Sequence, residues 1–136
     1  MKSLNNRGFT LVELLAVLVI LISIMSVVVP VVSDSLGRSK DNQDKRNKKM
    51  LELAAESFVT DNKSKINFGG ATDCYITIFD LIKNNYVDKQ FEFDANGKKV
   101  FNLDDSGNYS GACIIFDMDS YSFEYKDSTS GYTKCI

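Results

Sequence analysis

Apolar and polar positions follow three successive patterns along the chain. The first is a run from Leu14 to Val32, 19 residues whose only hydroxyls are Ser23 and Ser26 and whose only helix breaker is Pro30. At a rise of about 1.5 Å per residue, such a run reaches the threshold for a membrane-spanning helix. A second pattern covers Arg38 to Lys49, which is polar all round. Asp41 with Lys45, and Asp44 with Lys48, stand four apart with the acid first, the order in which ion pairs support a helix. The third begins at Met50, where Leu51, Ala54, Ala55, Phe58 and Val59 recur at helical spacing and form an apolar face that must lie on something. Together these patterns predict one helix from Phe9 to about Lys63, weakened where Pro30 removes a donor and crowds the preceding turn. With no glycine between Phe9 and Leu36, any loss of helicity is expected to centre on Ser26 to Pro30.

Beyond that helix the elements shorten. Asn67 to Asp73, with Gly69-Gly70, reads as a turn-rich connection. Ile76 to Asn84 reads as a small helix, with Thr77 as N-cap and Asp80 three residues later. Phe91 and Phe93 alternate with polar residues, Asn96-Gly97 signals a hairpin, and Val100 to Leu103 supplies the returning strand. Asp105 to Asn108 marks a further turn. Ala112 to Met118 is a nearly continuous apolar strand, paired across Asp119-Ser120 with the alternating Tyr121, Phe123 and Tyr125. The expected class is α+β, a long helix against a small antiparallel sheet.

Charge sharpens the division. The 136 residues carry a net charge of −2, but Arg38 to Lys49 holds six basic against two acidic residues, whereas Met50 onward holds eight basic against fourteen acidic. This is a basic neck followed by an acidic head, and the neck is expected to be a solvated face or to touch neighbouring subunits, anionic headgroups or nucleic acid. No histidine occurs, which excludes imidazole catalysis and the commonest metal ligand. No nucleophile with a paired base and no glycine-rich phosphate loop is found, so no enzyme activity and no cofactor are expected. Asp94, Asn96 and Gly97, and likewise Asp104, Asp105, Gly107 and Asn108, resemble fragments of calcium loops but lack a closing glutamate, so hairpin turns explain both better. Three cysteines, Cys74, Cys113 and Cys135, leave the pairing open, and Cys113 in its apolar strand reads as a buried small hydrophobe.

One charge breaks the apolar pattern. Glu13 stands at the edge of the long run, where a carboxylate costs about 2.5 to 3.5 kcal/mol at a bilayer centre and less near the interface. By itself it reads either as a headgroup marker or as a functional group. Its neighbours Gly8, Phe9, Thr10, Leu11 and Val12, after a leader containing Lys2 and Arg7, complete a motif that resembles the class III signal of type IV pilins and pseudopilins over residues 1 to 32. Lys2 and Arg7 keep the leader in the cytoplasm by the positive-inside rule, which places the carboxyl-terminal part outside in a single crossing.

The resemblance carries specific expectations. A prepilin peptidase cuts between Gly8 and Phe9, the new terminus is methylated, and Glu13 of an incoming subunit pairs with the amine on Phe9 of a subunit already assembled. Charges at about 4 Å attract by about 4 kcal/mol at an effective dielectric near 20, opposed by desolvation, so the pair favours register more than stability. The implied organisation is a leader at 1–8, a transmembrane and filament-core helix at 9–32 kinked near Pro30, an exposed continuation at 33–66, and a globular head at 67–136. Pilins often tie the end of the chain to the head by a disulfide, which implies Cys74 with Cys135. Implied partners are other pilin subunits, the peptidase, an assembly platform protein, an ATPase and the membrane. The expected role is a pilus subunit in adhesion, motility or aggregation. Its alternatives are a pseudopilin of secretion or DNA uptake, or a membrane-anchored sensor.

Overall fold

The computed structural model describes residues 8–136, so the leader with Lys2 and Arg7 lies outside the described residues. These residues fall into two units, one ending at Ser39 and one spanning Lys40–Ile136. A helix, α1, runs from Leu11 to Asp61, 51 residues, and contributes to both. It is helical through Ser26 to Pro30, the stretch on which any loss of helicity was expected to centre. Pro30 deprives only one carbonyl, that of Ser26, of its helical donor; just before it, the hydroxyls of Ser23 and Ser26 bond back to Val19 O and Ser23 O at 2.8 Å each.

In the second unit, α1 turns Leu51, Ala54, Ala55, Phe58 and Val59 inward, the five buried positions of the whole helix. They meet a three-stranded antiparallel sheet of order β1-β4-β5, with β1 at Asp73–Thr77, β4 at Cys113–Asp117 and β5 at Ser122–Lys126. Register is set by Thr77 opposite Cys113 on one side of β4 and by Cys113 opposite Lys126 on the other. β4 is the middle strand, covered on both faces, which is why its sequence is continuously apolar where β5 alternates. Ile76, Ile114 and Phe116 complete the core, and Phe123 stacks on Phe116 with centroids 4.8 Å apart.

Four expectations are corrected. The segment before the small helix is β1, not helix or turn: Cys74, Ile76 and Thr77 are buried and pair with β4. The helix itself, α2, is Ile78–Lys83, and Thr77 does cap it, accepting from Asp80 N at 2.9 Å and donating to Asp80 Oδ2 at 2.6 Å. Phe91 and Phe93 do not form a strand. Lys89–Glu92 is a 3-10 turn that sends Phe91 into the core, and only one bridge, Phe93 to Lys99, survives of the expected hairpin. Two aromatics around one glutamate are too short a pattern to outweigh the burial of Phe91. The strand after Asn96-Gly97, β2 at Phe101–Leu103, pairs instead with β3 at Tyr109–Gly111 across the Asp104 to Asn108 turn.

The neck supplies the fourth correction. Asp41 with Lys45, and Asp44 with Lys48, form no ion pairs. Asp44 Oδ1 accepts the backbone N–H of Ala95 at 2.8 Å, and Lys48 Nζ sits 4.7 Å from the centre of the Tyr125 ring. A half-buried amide without a ladder partner and an aromatic face both compete for these side chains, and each contact is worth at least as much as an exposed helical ion pair. One turn later, Glu52 accepts from Tyr125 N at 3.2 Å and pairs with Lys49 at 3.2 Å.

Cys74 and Cys135 are joined by a disulfide, their Cα atoms 5.0 Å apart. The bond fastens a strap of backbone along β1: Tyr75 N donates to Thr133 O, Cys135 N to Tyr75 O, and Asn67 N to Cys135 O. Since the bond spans a sequence separation of 61, replacing both cysteines by serine is expected to lower stability by about 4 kcal/mol in the chain-entropy treatment. The denaturant midpoint of the oxidised chain against its variant measures this. At Gly111, φ is 116° and an added Cβ would lie 2.6 Å from Val100 O and 2.7 Å from Phe101 Cα, both backbone. Gly111→Ala is therefore expected to destabilise the chain by about 2 kcal/mol or more, read as a lower Tm.

Candidate functional site

The site at the start of the chain begins with exposed, non-helical backbone. Gly8, Phe9 and Thr10 precede the helix, Phe9 is 80% exposed, and among the described residues nothing lies within 4 Å of where a Gly8 side chain would start. The Gly8-Phe9 peptide is thus in exposed, non-helical backbone. Thr10 then acts as N-cap of α1: its hydroxyl accepts from Glu13 N at 3.3 Å, and Glu13 Oε2 reaches back to Thr10 N at 3.3 Å. This is a capping box, two orphan donors satisfied reciprocally.

The capping role of Glu13 escapes a reading that treats it as an isolated charge, yet its signal is in the sequence. Thr10-Leu11-Val12-Glu13 has the S/T-x-x-E spacing directly before an apolar run, which is the signature of the box. A carboxylate there also faces the positive end of the α1 dipole. Glu13 is therefore held in place by its own helix, at the same end of the chain as the peptide expected to be cut.

After Glu13 the helix is apolar on every side. All the large hydrophobic residues from Leu14 to Val32 are exposed, from 48% at Val28 to 68% at Ile22. α1 is the single described helix long and apolar enough to cross a membrane. A stripe would indicate packing on a partner domain, whereas exposure all round indicates a helix meant to be enclosed by lipid or by other helices. Pro30 lies within this segment.

The other singled-out side chains are used locally. Asp94 Oδ1 accepts from Asn96 N and Lys98 N at 2.9 Å each, and Asp104 Oδ1 from Ser106 N at 2.9 Å and Asn108 N at 2.7 Å. These carboxylates build the hairpin turns. Hydrogen bonds from the Asn108 side chain and backbone hold the Asp104 carboxyl below its ordinary pKa, and those from the Ser120 backbone do the same for Asp117. Burial pushes the Cys113 thiol up to about 11, so it stays protonated, 3.5 Å from Ser128 O. Burial, with Asp127 and Asp44 nearby, pushes the Tyr125 phenol up to about 12, leaving a neutral ring beneath Lys48. Tyr109 is raised by burial as well, its hydroxyl donating to Ala112 O and accepting from Ile78 N. None of these groups forms an acid-base or nucleophilic pair with another.

Comparison with curated proteins and with solved structures yields no match. Comparison with protein families yields one, the prokaryotic N-terminal methylation motif, over residues 3–29. The matched segment contains Gly8, Phe9, the Thr10–Glu13 capping box and most of the exposed apolar helix. Residues 3–29 of this chain are thus similar to the prokaryotic N-terminal methylation motif, and the described residues beyond them fold into an α+β head.

Proposed function

We infer that the protein is a structural subunit of a type IV pilus or pilus-like filament. It is inserted as a membrane precursor, cut between Gly8 and Phe9 by a prepilin peptidase, methylated on the new amine, and assembled by packing of residues 9–32 in a filament core. The observation that carries this reading is an apolar helix exposed on every side, most of it inside the segment that matches the methylation motif. In the precursor, lipid covers that surface. In the filament, other copies do, and because lipid tails are as apolar as the helix, association draws on packing rather than on escape from water. Such an exchange fits the expectation of an energy-supplying ATPase and a platform protein. Pro30 is the place where α1 bends or loosens as its two halves adjust to neighbours. The head, 67–136, with its disulfide and compact sheet, forms the filament surface and serves adhesion, motility or aggregation.

Glu13 has two tasks in this reading. Within its own chain it caps α1, and between chains it offers a charge to the amine on Phe9 of a neighbour. The two are separable, because glutamine retains an acceptor for the capping box and loses the charge. Glu13→Gln and Glu13→Ala are both expected to be cut normally after Gly8 and to give filament yields at least about tenfold lower, as befits an unpaired buried amine. Wild-type yield from the glutamine variant, measured in sheared surface fractions, would remove the intermolecular role. The processing step has its own check: intact mass in a strain with an active prepilin peptidase is expected to begin at Phe9, with one added methyl group. A mass that begins at Met1 would refute the reading.

A further inference from the structure

Polar groups with spare hydrogen-bonding capacity converge on one cleft of the second unit, with a volume of about 300 Å³. Three carboxylates line it, those of Asp44, Asp94 and Asp127, and so do three ammonium groups, those of Lys48, Lys98 and Lys99. The charges of these six residues cancel. No ion pair joins any of these acids to any of these lysines among the described residues. Asp44 is anchored through Oδ1 by Ala95 N at 2.8 Å, and Asp94 through Oδ1 by Asn96 N and Lys98 N at 2.9 Å each. Their Oδ2 atoms have no hydrogen-bond partner among the described residues, and neither do the Asp127 carboxylate, the Asn47 amide and the Tyr125 hydroxyl that also line the cleft. Since no side-chain nitrogen or oxygen is buried without a partner in the described chain, solvent reaches these groups. One face of Tyr125 is taken by Lys48, but Phe93, 41% exposed, leaves a large apolar side chain open in the same lining.

We propose that this cleft binds a neutral sugar, with Phe93 under the C–H face of one ring and the ring hydroxyls shared among Asp44, Asp94, Asp127, Asn47 and Tyr125. The proposal stands on the cleft and goes beyond the filament reading, which it does not require. Its lining selects the ligand class. A phosphate or carboxylate would meet three aspartates, and a simple amine would meet three lysines, so neither sign of charge is favoured. A hydroxyl both donates and accepts, and it can therefore use the two kinds of group side by side. Burial keeps the Tyr125 phenol protonated, which adds a neutral donor. Oxygens held by backbone amides, as in Asp44 and Asp94, lose little freedom when a ligand arrives and favour directional bonds over diffuse attraction. A small zwitterion matches the two charges but leaves Phe93 uncovered, whereas a sugar ring has an apolar face to set on it. An apolar wall with a few convergent polar groups is the usual build of a small-molecule site.

The test uses the full-length chain in a detergent without a sugar headgroup. Glucose, galactose, mannose and N-acetylglucosamine are titrated in turn, with glycine as a zwitterion and acetate as an anion for comparison, and binding is read by NMR saturation transfer from protein to ligand protons. At least one sugar is expected to bind saturably with a dissociation constant of about 1 mM or tighter, with transfer strongest at ring C–H protons. Phe93→Ala and Asp127→Ala are each expected to weaken it by about tenfold. Asp127 is exposed and unpartnered among the described residues, so its variant is expected to keep the wild-type Tm and to remain informative if Phe93→Ala unfolds. Because the ligand is uncharged, raising the ionic strength is expected to change the constant by less than about twofold. Absence of saturable binding by every sugar overturns the proposal. So does sugar binding that Asp127→Ala leaves unchanged, or binding of glycine or acetate in preference to the sugars, which would make the cleft an ion site. Filament yield does not enter the readout, so a failure here leaves the filament reading untouched.

Discussion

A helix with no polar side is the constraint under which the rest of this protein is built. From Leu14 to Val32 every large side chain is open, so the segment is unstable in water and requires an apolar surround at every stage. Lipid and neighbouring helices are both adequate surrounds, and neither is strongly preferred on hydrophobic grounds. Polar features in this segment are few: a capping box at the start, two serines bonded back to the helix, and one proline. The head solves a separate problem. It folds around the last turns of the same helix, where the apolar residues narrow to a stripe and the sheet supplies the cover.

How much of this could be read from the residues depended on the length of the pattern. The apolar run, the amphipathic turns after Met50, the β4-β5 hairpin and the Thr77 cap each rest on several residues repeating one period, and each is found where the pattern puts it. Phe91 to Phe93 offers two aromatics and misleads, because a 3-10 turn buries one aromatic as well as a strand does. β1 is hidden for a different reason. Asp73 to Thr77 runs straight into α2, so Ile76 and Ile78 are shared between a period of two and a period of nearly four, and only pairing with β4 decides the boundary. The ion pairs expected in the neck fail because helix spacing says which side chains are neighbours, not what else competes for them. Ala95 and Tyr125 are distant in sequence, and their claims on Asp44 and Lys48 exist only in the folded chain.

At the amino-terminal site the residues are nearly sufficient. Gly8, Phe9 and Glu13 stand out through a motif and an isolated charge, and the family comparison covers the same segment. Geometry adds Thr10. Its reciprocal bonds with Glu13 hold the carboxylate at the start of the helix and leave it less rotamer freedom.

The two edges of the head sheet have a further consequence. On one side the strap from Thr133 to Cys135 lies along β1 and occupies the outward N–H and C=O of Tyr75 at its middle, locked by the disulfide. On the other, the outward amide of Tyr125 in β5 is taken by the carboxylate of Glu52. An open strand edge is a template for indiscriminate pairing, a hazard that grows with local concentration. Blunting both margins in this way reduces the template each edge offers to another strand.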